Sequence, residues 1–228
     1  ASFFAAVHLL GPKATLRKMT LALAARIPTV AEEEEVEKKG FDAFGPILDR
    51  VMNEEPFFDR IREVYNNSFL TDMYMNGGNG LDLLADEEGF YNPYWYEAAL
   101  TEDNVRYFGA RDLGNLEEML RNYTVQAVAR EPVELITYIV RNNRPFSEVA
   151  TADYIVVNPF SARAYGVGTE FSNDADPYEW RPAQIEGIPH AGFMTSIMWL
   201  NRHPTTPTNR NRHRARMVFY DLLGSDIL

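Results

Sequence analysis

The 228-residue chain contains no cysteine. This absence excludes disulfides, thiolate metal sites, cysteine nucleophiles and covalent attachment of a c-type haem through a C-x-x-C-H segment. Any cofactor must therefore be held by histidine, methionine, carboxylate or backbone groups.

Long apolar runs are missing as well. No segment approaches the roughly 18–20 apolar residues that a membrane helix needs. The opening ASFFAAVHLL lacks a basic region, so it is not a complete signal peptide, and it is compatible with a mature N-terminus left by cleavage behind a small residue.

Basic residues are outnumbered by acidic ones. The chain has 22 Lys and Arg against 33 Asp and Glu, a formal net charge of -11 and a pI near 4.9. Nucleic acids and anionic membranes demand a cationic surface, so this balance argues against both as general partners. In contrast, 46% apolar and 13% aromatic residues can supply the core of one large domain or two small ones.

Apolar periodicity predicts a chain that is all-α or nearly so, with long irregular loops and at most a minor β element at YIVV, 154–157. Thr29 and Glu32 form a predicted capping box, and Asn115 and Asn158 are predicted N-caps. Pro132 is expected to open a separate helix, and Gly166 is expected to end the helix that Asn158 caps. The predicted helices lie over 15–26, 29–39, 41–51, 56–69, 115–130, 132–142, 158–166, 192–201 and 209–223.

A change of composition predicts the domain organisation. Residues 1–74 form an N-terminal helical module, and 115–228 form a C-terminal helical module with an arginine-rich segment. Residues 75–114 form an irregular loop region that opens with the flexible MNGGNG. A second irregular excursion is expected from 168 to 189.

The arginine-rich segment lies within a stretch without carboxylates. From Gly187 to Tyr220 there is no Asp or Glu. We interpret the arginines as an internal brace that pairs with the protein's own carboxylates or with carbonyls at helix ends. An external anion or acidic partner is an alternative, and nucleic acid is disfavoured by the overall charge. The five arginines are Arg202, Arg210, Arg212, Arg214 and Arg216.

Several phrases of the sequence resemble a known architecture. TLRKMTLALAARIPTVAEEEE, TADYIVVN, HAGFMT and PTTPTNRNRHRARM occur in the order and spacing found in the helical modules of the planctomycete-type "cytochrome" domain families. The resemblance covers about three quarters of the chain and excludes residues 72–114 and 168–186. It implies a helical fold in a secreted or periplasmic bacterial protein, in a family whose biochemical roles are mostly unassigned.

The same resemblance implies haem chemistry that this chain cannot perform alone. Relatives of this kind often carry C-x-x-C-H segments beside the helical modules, and this chain has no cysteine. We expect either a piece of a longer haem-bearing protein or a member with a haem-free role in a larger assembly. A self-contained c-type cytochrome is excluded.

Three histidines are candidate metal or haem ligands: His190, His203 and His213. His203 and His213 are ten residues apart through a proline-containing loop, which permits convergence without requiring it. Met194 and Met198 are candidate axial haem ligands. The plainer alternative is that these histidines are buried or capping groups and that the methionines fill the core.

Carboxylates in the second irregular region are candidate calcium ligands. Asp174 and Asp176 lie close to Glu170 and Glu179, although the spacing does not match an EF-hand. The alternative is a solvated acidic loop. Elsewhere, Asp153 and Arg163 are expected to form a pair that fixes the segment between two helices.

Aromatic residues concentrate in YNPYWYEAAL, where Tyr91, Tyr94, Trp95 and Tyr96 can form a platform for a partner or for sugar rings. Packing into the protein's own core is the alternative.

Function follows from these features only as a hypothesis. The chain has no G-x-S-x-G, P-loop or G-x-G-x-x-G motif. We expect a non-catalytic structural or accessory subunit of a bacterial envelope or extracellular assembly, one associated with cytochromes, that binds other protein subunits. The first alternative is a polysaccharide-binding or polysaccharide-degrading module using the Tyr/Trp cluster with Glu97 and Asp103. A further alternative is electron transfer, with a histidine reaching a haem of a neighbouring chain.

Overall fold

The computed structural model describes residues 9–69, 71–75, 92–208 and 211–227. The fold is mostly helical with one small antiparallel strand pair, which confirms the predicted fold class. Short 3-10 turns occupy Gly40–Ala43, Thr71–Tyr74 and Trp95–Ala99. The helices are α1 (Pro12–Ala24), α2 (Val30–Lys39), α3 (Phe44–Val51), α4 (Glu55–Phe69), α5 (Glu102–Phe108), α6 (Leu113–Arg141), α7 (Glu148–Thr151), α8 (Pro159–Tyr165), α9 (Ile197–Arg202) and α10 (Arg212–Leu223).

The chain divides into two compact units, residues 1–64 and 65–228. The boundary falls inside α4, ten residues before the predicted boundary after residue 74. Residues 92–114, predicted as part of a separate loop region, belong to the second unit and include α5. Most of the MNGGNG loop lies outside the described residues.

The first unit is organised by helix caps and one small apolar cluster. Thr29 caps α2: its hydroxyl accepts the Glu32 N–H at 3.3 Å, while the Glu32 carboxylate accepts the Thr29 N–H at 2.7 Å. This reciprocal pair is the predicted capping box. Arg26 bonds both Glu32 and Glu54. The buried apolar side chains of the cluster are Leu16, Ala24, Val36, Ala43, Ile47 and Val51.

The long helix α6 corrects two predictions. Asp112, not Asn115, is its N-cap, and Asp112 Oδ1 accepts the Asn115 N–H at 2.7 Å. Pro132 lies within the helix instead of opening a new one. Proline removes one backbone donor there, but the surrounding residues from 124 to 139 are largely buried, so tertiary packing outweighs the local penalty.

The core of the second unit forms where α6 packs against α8 and strand β1 (Ile155–Val157). Strand β1 pairs antiparallel with β2 (Arg181–Ala183), with Val156 opposite Pro182. Strand β2 lies in the region predicted to be irregular. The buried members of this core include Trp95, Leu116, Leu120, Val125, Val128, Val157, Phe160, Ala164 and Tyr165.

Asn158 links α8 to the loop that precedes β2. Its Oδ1 accepts the N–H groups of Phe160 and Ser161, each at 3.0 Å, and thereby caps α8 as predicted. Its Nδ2 donates to the Pro177 carbonyl oxygen at 2.8 Å. The cap therefore also fixes the loop around residue 177.

The HAGFMT turn depends on a glycine. Gly192 has φ +55°, and a Cβ at this position would lie 2.0 Å from the Val149 carbonyl oxygen. Its N–H donates to the Ala152 carbonyl oxygen at 2.9 Å. Only glycine combines this left-handed backbone with so close an approach to α7.

Within the described ranges, no helix has both the length and the hydropathy that a membrane span requires.

Candidate functional site

The predicted aromatic platform is largely internal. Trp95 and Tyr96 are buried, and Trp95 Nε1 donates to Thr124 Oγ1 on α6 at 3.1 Å. Tyr94 is exposed, whereas Tyr91 lies outside the described residues. The expectation of a four-ring external surface is therefore corrected for Trp95 and Tyr96, because the core of the second unit uses both rings.

Carboxylates of the acidic loop hold the loop's own backbone. Asp176 Oδ1 accepts the Tyr178 N–H at 2.8 Å. Glu179 accepts the N–H groups of Ser172 and Asn173 and pairs with Arg181, and these contacts lower the pKa of Glu179 to about 2. Across the described residues, no three His, Asp or Glu side chains are grouped so that they could hold a metal ion.

Asp174 pairs with Arg163, for which the sequence predicts Asp153 as the partner. Arg163 lies 3.5 Å from the Asp174 carboxylate, and its guanidinium carbon lies 5.0 Å from the centre of the Trp95 ring. The predicted Asp153–Arg163 pair is therefore wrong. The Asp153 carbonyl oxygen instead accepts a hydrogen bond from Gln184 at 2.9 Å.

Two of the three candidate histidines are in direct contact. His203 Nδ1 and His213 Nε2 are 3.2 Å apart, and the His203 ring packs edge-on against Trp199. Burial, and then the nearby charges of His213, Arg202 and Arg214, lowers the pKa of His203 to about 4. The buried ring therefore stays neutral at neutral pH, in a surrounding that opposes a cation.

His190 makes a separate contact. Its Nε2 accepts the Ile185 N–H at 3.2 Å, so the ring proton resides on Nδ1. Nδ1 is enclosed and has no hydrogen-bond partner among the described residues. Burial lowers the pKa of His190. The three histidines do not form one metal site.

Arg214 attaches α10 to the end of α9. Its Nε donates to the His203 carbonyl oxygen at 2.8 Å, and its Nη2 donates to the Leu200 carbonyl oxygen at 3.0 Å. These are carbonyls at a helix C-terminus, where a guanidinium is favourable.

The other arginines of the segment have different surroundings. Arg216 forms a two-bond ion pair with Asp226, at 2.7 and 2.6 Å. Arg202 Nη1 lies 3.5 Å from the sulfur of Met73. Arg212 is exposed, and Arg210 lies outside the described residues.

Helix α10 covers polar as well as apolar side chains. The face toward α9 carries His213, Arg214 and Asp221 together with the apolar Met217 and Val218, all partly buried. Asp221 lies next to Trp199, and burial raises the pKa of its carboxyl. Trp199 Nε1 nevertheless has no acceptor within hydrogen-bond geometry in the described part of the chain.

The opposite side of α10 exposes apolar side chains beside Arg212 and Arg216. Phe219, Tyr220 and Leu223 fall on this side of the helix and are 40%, 56% and 65% exposed. Leu222 extends this side and is also exposed. We call Phe219, Tyr220, Leu222 and Leu223 the α10 apolar face. Contiguous exposed apolar side chains on a folded chain mark an interaction surface.

A buried acid in α6 was not found from the sequence. Glu131 is 3% exposed, and the Tyr165 hydroxyl donates to its carboxyl at 2.7 Å. Burial raises the pKa of Glu131 to about 7. A glutamate beside a proline in a helix carries no local signal of burial, so only the tertiary structure reveals it.

Comparison of the chain with models of protein families, with curated proteins and with solved structures finds no match.

Proposed function

We propose that the protein is a non-catalytic structural or accessory subunit of a bacterial envelope or extracellular assembly, one that contains cytochromes. The observation that carries the proposal is the α10 apolar face, which points away from the polar contacts that attach the helix to α9. Burying such side chains against a partner is favourable by about 25 cal/mol for each Å² of apolar surface removed from water.

The partner is a protein with apolar side chains flanked by carboxylates. Arg212 is exposed at the start of α10, and the chain has no acidic residue between Gly187 and Tyr220, whereas Arg214 and Arg216 are already bonded within the protein. Arginine near the rim of an interface favours acidic groups on the opposite surface and raises the association rate. A nucleic acid does not satisfy the apolar part of this surface.

Cytochrome association rests on the resemblance of several sequence phrases to helical modules that accompany haem segments. We place the haem in the partner. His203 and His213 contact each other, so ligation of a neighbouring haem would require this pair to separate.

The polysaccharide alternative does not gain support at the aromatic cluster. Trp95 and Tyr96 are buried, which leaves Tyr94 as the exposed ring among the described members of the cluster. We therefore assign neither sugar binding nor hydrolysis with Glu97 and Asp103 to this place.

Purification of the tagged chain from its native source tests the proposal. We expect a partner at fixed stoichiometry by native mass spectrometry and a Soret band in the complex. A Phe219→Ser/Leu223→Ser variant should lose the partner, with binding weakened at least about a hundredfold because two anchors lose their apolar contact. Recovery of the chain as a lone monomer would contradict the subunit role, and a colourless complex would contradict only the cytochrome association.

A matched variant separates the interface from general surface effects. Phe146 and Leu113 are 55% and 40% exposed and lie outside α10. The Phe146→Ser/Leu113→Ser variant should retain the partner. Equal loss of the partner in both double variants would contradict the assignment of the α10 apolar face.

A further inference from the structure

Two adjoining hollows lie along one side of α6. The larger is an open groove of about 470 Å³, and the smaller is a narrow cleft of about 20 Å³. Tyr123 and Gln126 line both, so the two hollows lie side by side. The smaller volume fits one water molecule or one hydroxyl group.

The groove floor presents amide side chains at helical spacing. Asn115, Asn122 and Gln126 fall on one face of α6 and span roughly 16 Å at 1.5 Å per residue. Within the described part of the chain, the side chains of Asn122 and Gln126 make no hydrogen bond, and both are exposed. Each amide offers both donors and an acceptor, which matches the hydroxyl group of a ligand.

Aromatic rings line the narrow cleft at one end of the groove. Tyr123 is fixed by Phe160, with ring centres 4.9 Å apart, and Trp180 packs against the core of the second unit. Tyr178 is 75% exposed. The bond from Asn158 to the Pro177 carbonyl oxygen fixes the loop that carries Tyr178 and Trp180. The rings of Tyr123 and Trp180 are thus preorganised before a ligand arrives.

The charges around the groove are mixed. Arg111 and Glu118 line the open part, and Arg130 lines the cleft, where its Nε lies 3.8 Å from the Glu134 carboxylate. This arrangement supplies no concentrated field of one sign. A neutral ligand is therefore favoured over a polyanion.

We infer that the α6 groove binds a neutral, hydroxyl-rich chain, of the chemical class of oligosaccharides. The amides bond its hydroxyl groups, the exposed Tyr178 ring beside the cleft packs against the C–H face of a sugar ring, and the spacing of the amides along α6 selects an oligomer over a single sugar. This inference does not depend on the proposed function, because no residue of the α10 apolar face lines the groove.

Titration of the isolated chain with a panel of neutral oligosaccharides tests the inference. The probes are hexamers of β-linked glucose, xylose and N-acetylglucosamine, with glucose and an oligogalacturonate as comparison ligands. Trp180 is partly exposed whereas Trp95 and Trp199 are buried, so saturable binding should change the tryptophan fluorescence through Trp180. We expect at least one neutral hexamer to bind at least about tenfold more tightly than glucose.

Variants locate the binding. Asn122→Ala/Gln126→Ala should weaken binding about tenfold, because two hydrogen bonds to the ligand are lost from side chains that bond to no other group among the described residues. Asn67→Ala, an exposed amide on α4 outside the groove lining, should leave binding unchanged.

Three results would overturn the inference. The first is the absence of saturable binding by every neutral oligosaccharide at about 10 mM. The second is tighter binding of the oligogalacturonate than of any neutral hexamer. The third is an equal loss of affinity in Asn122→Ala/Gln126→Ala and in Asn67→Ala. Circular dichroism of each variant verifies that the helical fold is retained.

Discussion

Helices α6 and α10 belong to the same compact unit but differ in how far their side chains are buried. In α6, 15 of 29 residues are buried, and they include Glu131 and Pro132. All twelve residues of α10 are described, and none of them is buried. Packing on several sides stabilises α6 despite groups that disfavour a buried helix. Helix α10 is attached through polar contacts and the partly buried Met217 and Val218, and it leaves the α10 apolar face in solvent.

The difference shows why helix propensity is a poor guide to function. Helix α6 contains a proline and a buried acid, and both are tolerated because apolar burial dominates the free energy of folding. Helix α10 carries apolar residues on both sides: Met217 and Val218 are partly buried, whereas Phe219 and Leu223 are exposed. The exposed set is the surface that we propose a partner covers.

Truncation of a core ring gives the largest expected contrast between the two helices. Phe160 is fully buried, and its ring lies near those of Trp95, Phe108 and Tyr123. Phe160→Ala should lower the free energy of unfolding by about 3–5 kcal/mol. Leu223→Ala should change it by less than about 0.5 kcal/mol in the isolated chain. Urea denaturation measures both, and a comparable loss for Leu223→Ala would show that α10 buries its apolar side.

The acid in α6 predicts a pH dependence of stability. The pKa of Glu131 is about 7 in the folded chain against an ordinary value of 4.5, so the folded state retains the proton more tightly than the unfolded state. The free energy of unfolding should therefore fall as pH rises from about 4.5 to about 7, by roughly 3 kcal/mol, and stay level beyond that range.

Glu131→Gln should abolish this pH dependence and make the protein more stable than wild type at pH 8. Thermal unfolding at pH 5 and pH 8 measures the difference. Glu118→Gln, a change to an exposed acid on the same helix, serves as the control. A pH dependence that is unchanged in Glu131→Gln would contradict the assignment.

The histidine pair predicts the opposite dependence for α10. The pKa of His203 is about 4 in the folded chain against 6.5 ordinarily, so protonation favours the unfolded or detached state. The attachment of α10 should be at full strength above about pH 6.5 and weaken as pH falls to about 4, by roughly 2 kcal/mol. Once the intrinsic pH dependence of amide exchange is divided out, the protection factors of the α10 amides should fall over this range while those of α6 stay high. A loss of protection in α6 alone would contradict the assignment.

Removal of one guanidinium gives the smallest expected effect. Arg214→Ala deletes two hydrogen bonds to carbonyl oxygens at the end of α9 and should weaken the attachment of α10 by about 1 kcal/mol. Arg212→Ala, an exposed residue two positions away, should have no such effect. Hydrogen exchange of the α10 amides compares the variants, and identical exchange in both would contradict the bracing role of Arg214.

Local features of the fold could be predicted from the sequence. The Thr29–Glu32 capping box and the Asn158 cap, with Gly166 at the end of α8, were predicted and found. Each cap depends on residues within a few positions of one another, so the local sequence is enough to predict its hydrogen bonds.

Features that depend on distant contacts could not be predicted in this way. Pro132 was wrongly assigned to a helix start because its tolerance inside α6 comes from tertiary burial. Strand β2 has the sequence RPA, with no strand propensity, and forms by pairing with β1. The groove along α6 combines α6 side chains with a loop about fifty residues further along the chain.

The central claim is that the α10 apolar face is covered by a partner protein in the native assembly. Hydrogen exchange of the complex purified from its native source, compared with the isolated chain, tests it most directly. The account predicts that exchange of the amides of residues 217–223 slows at least about tenfold in the complex, while the centre of α6 is unchanged. Equally fast exchange of α10 in the complex and in the isolated chain would contradict the claim.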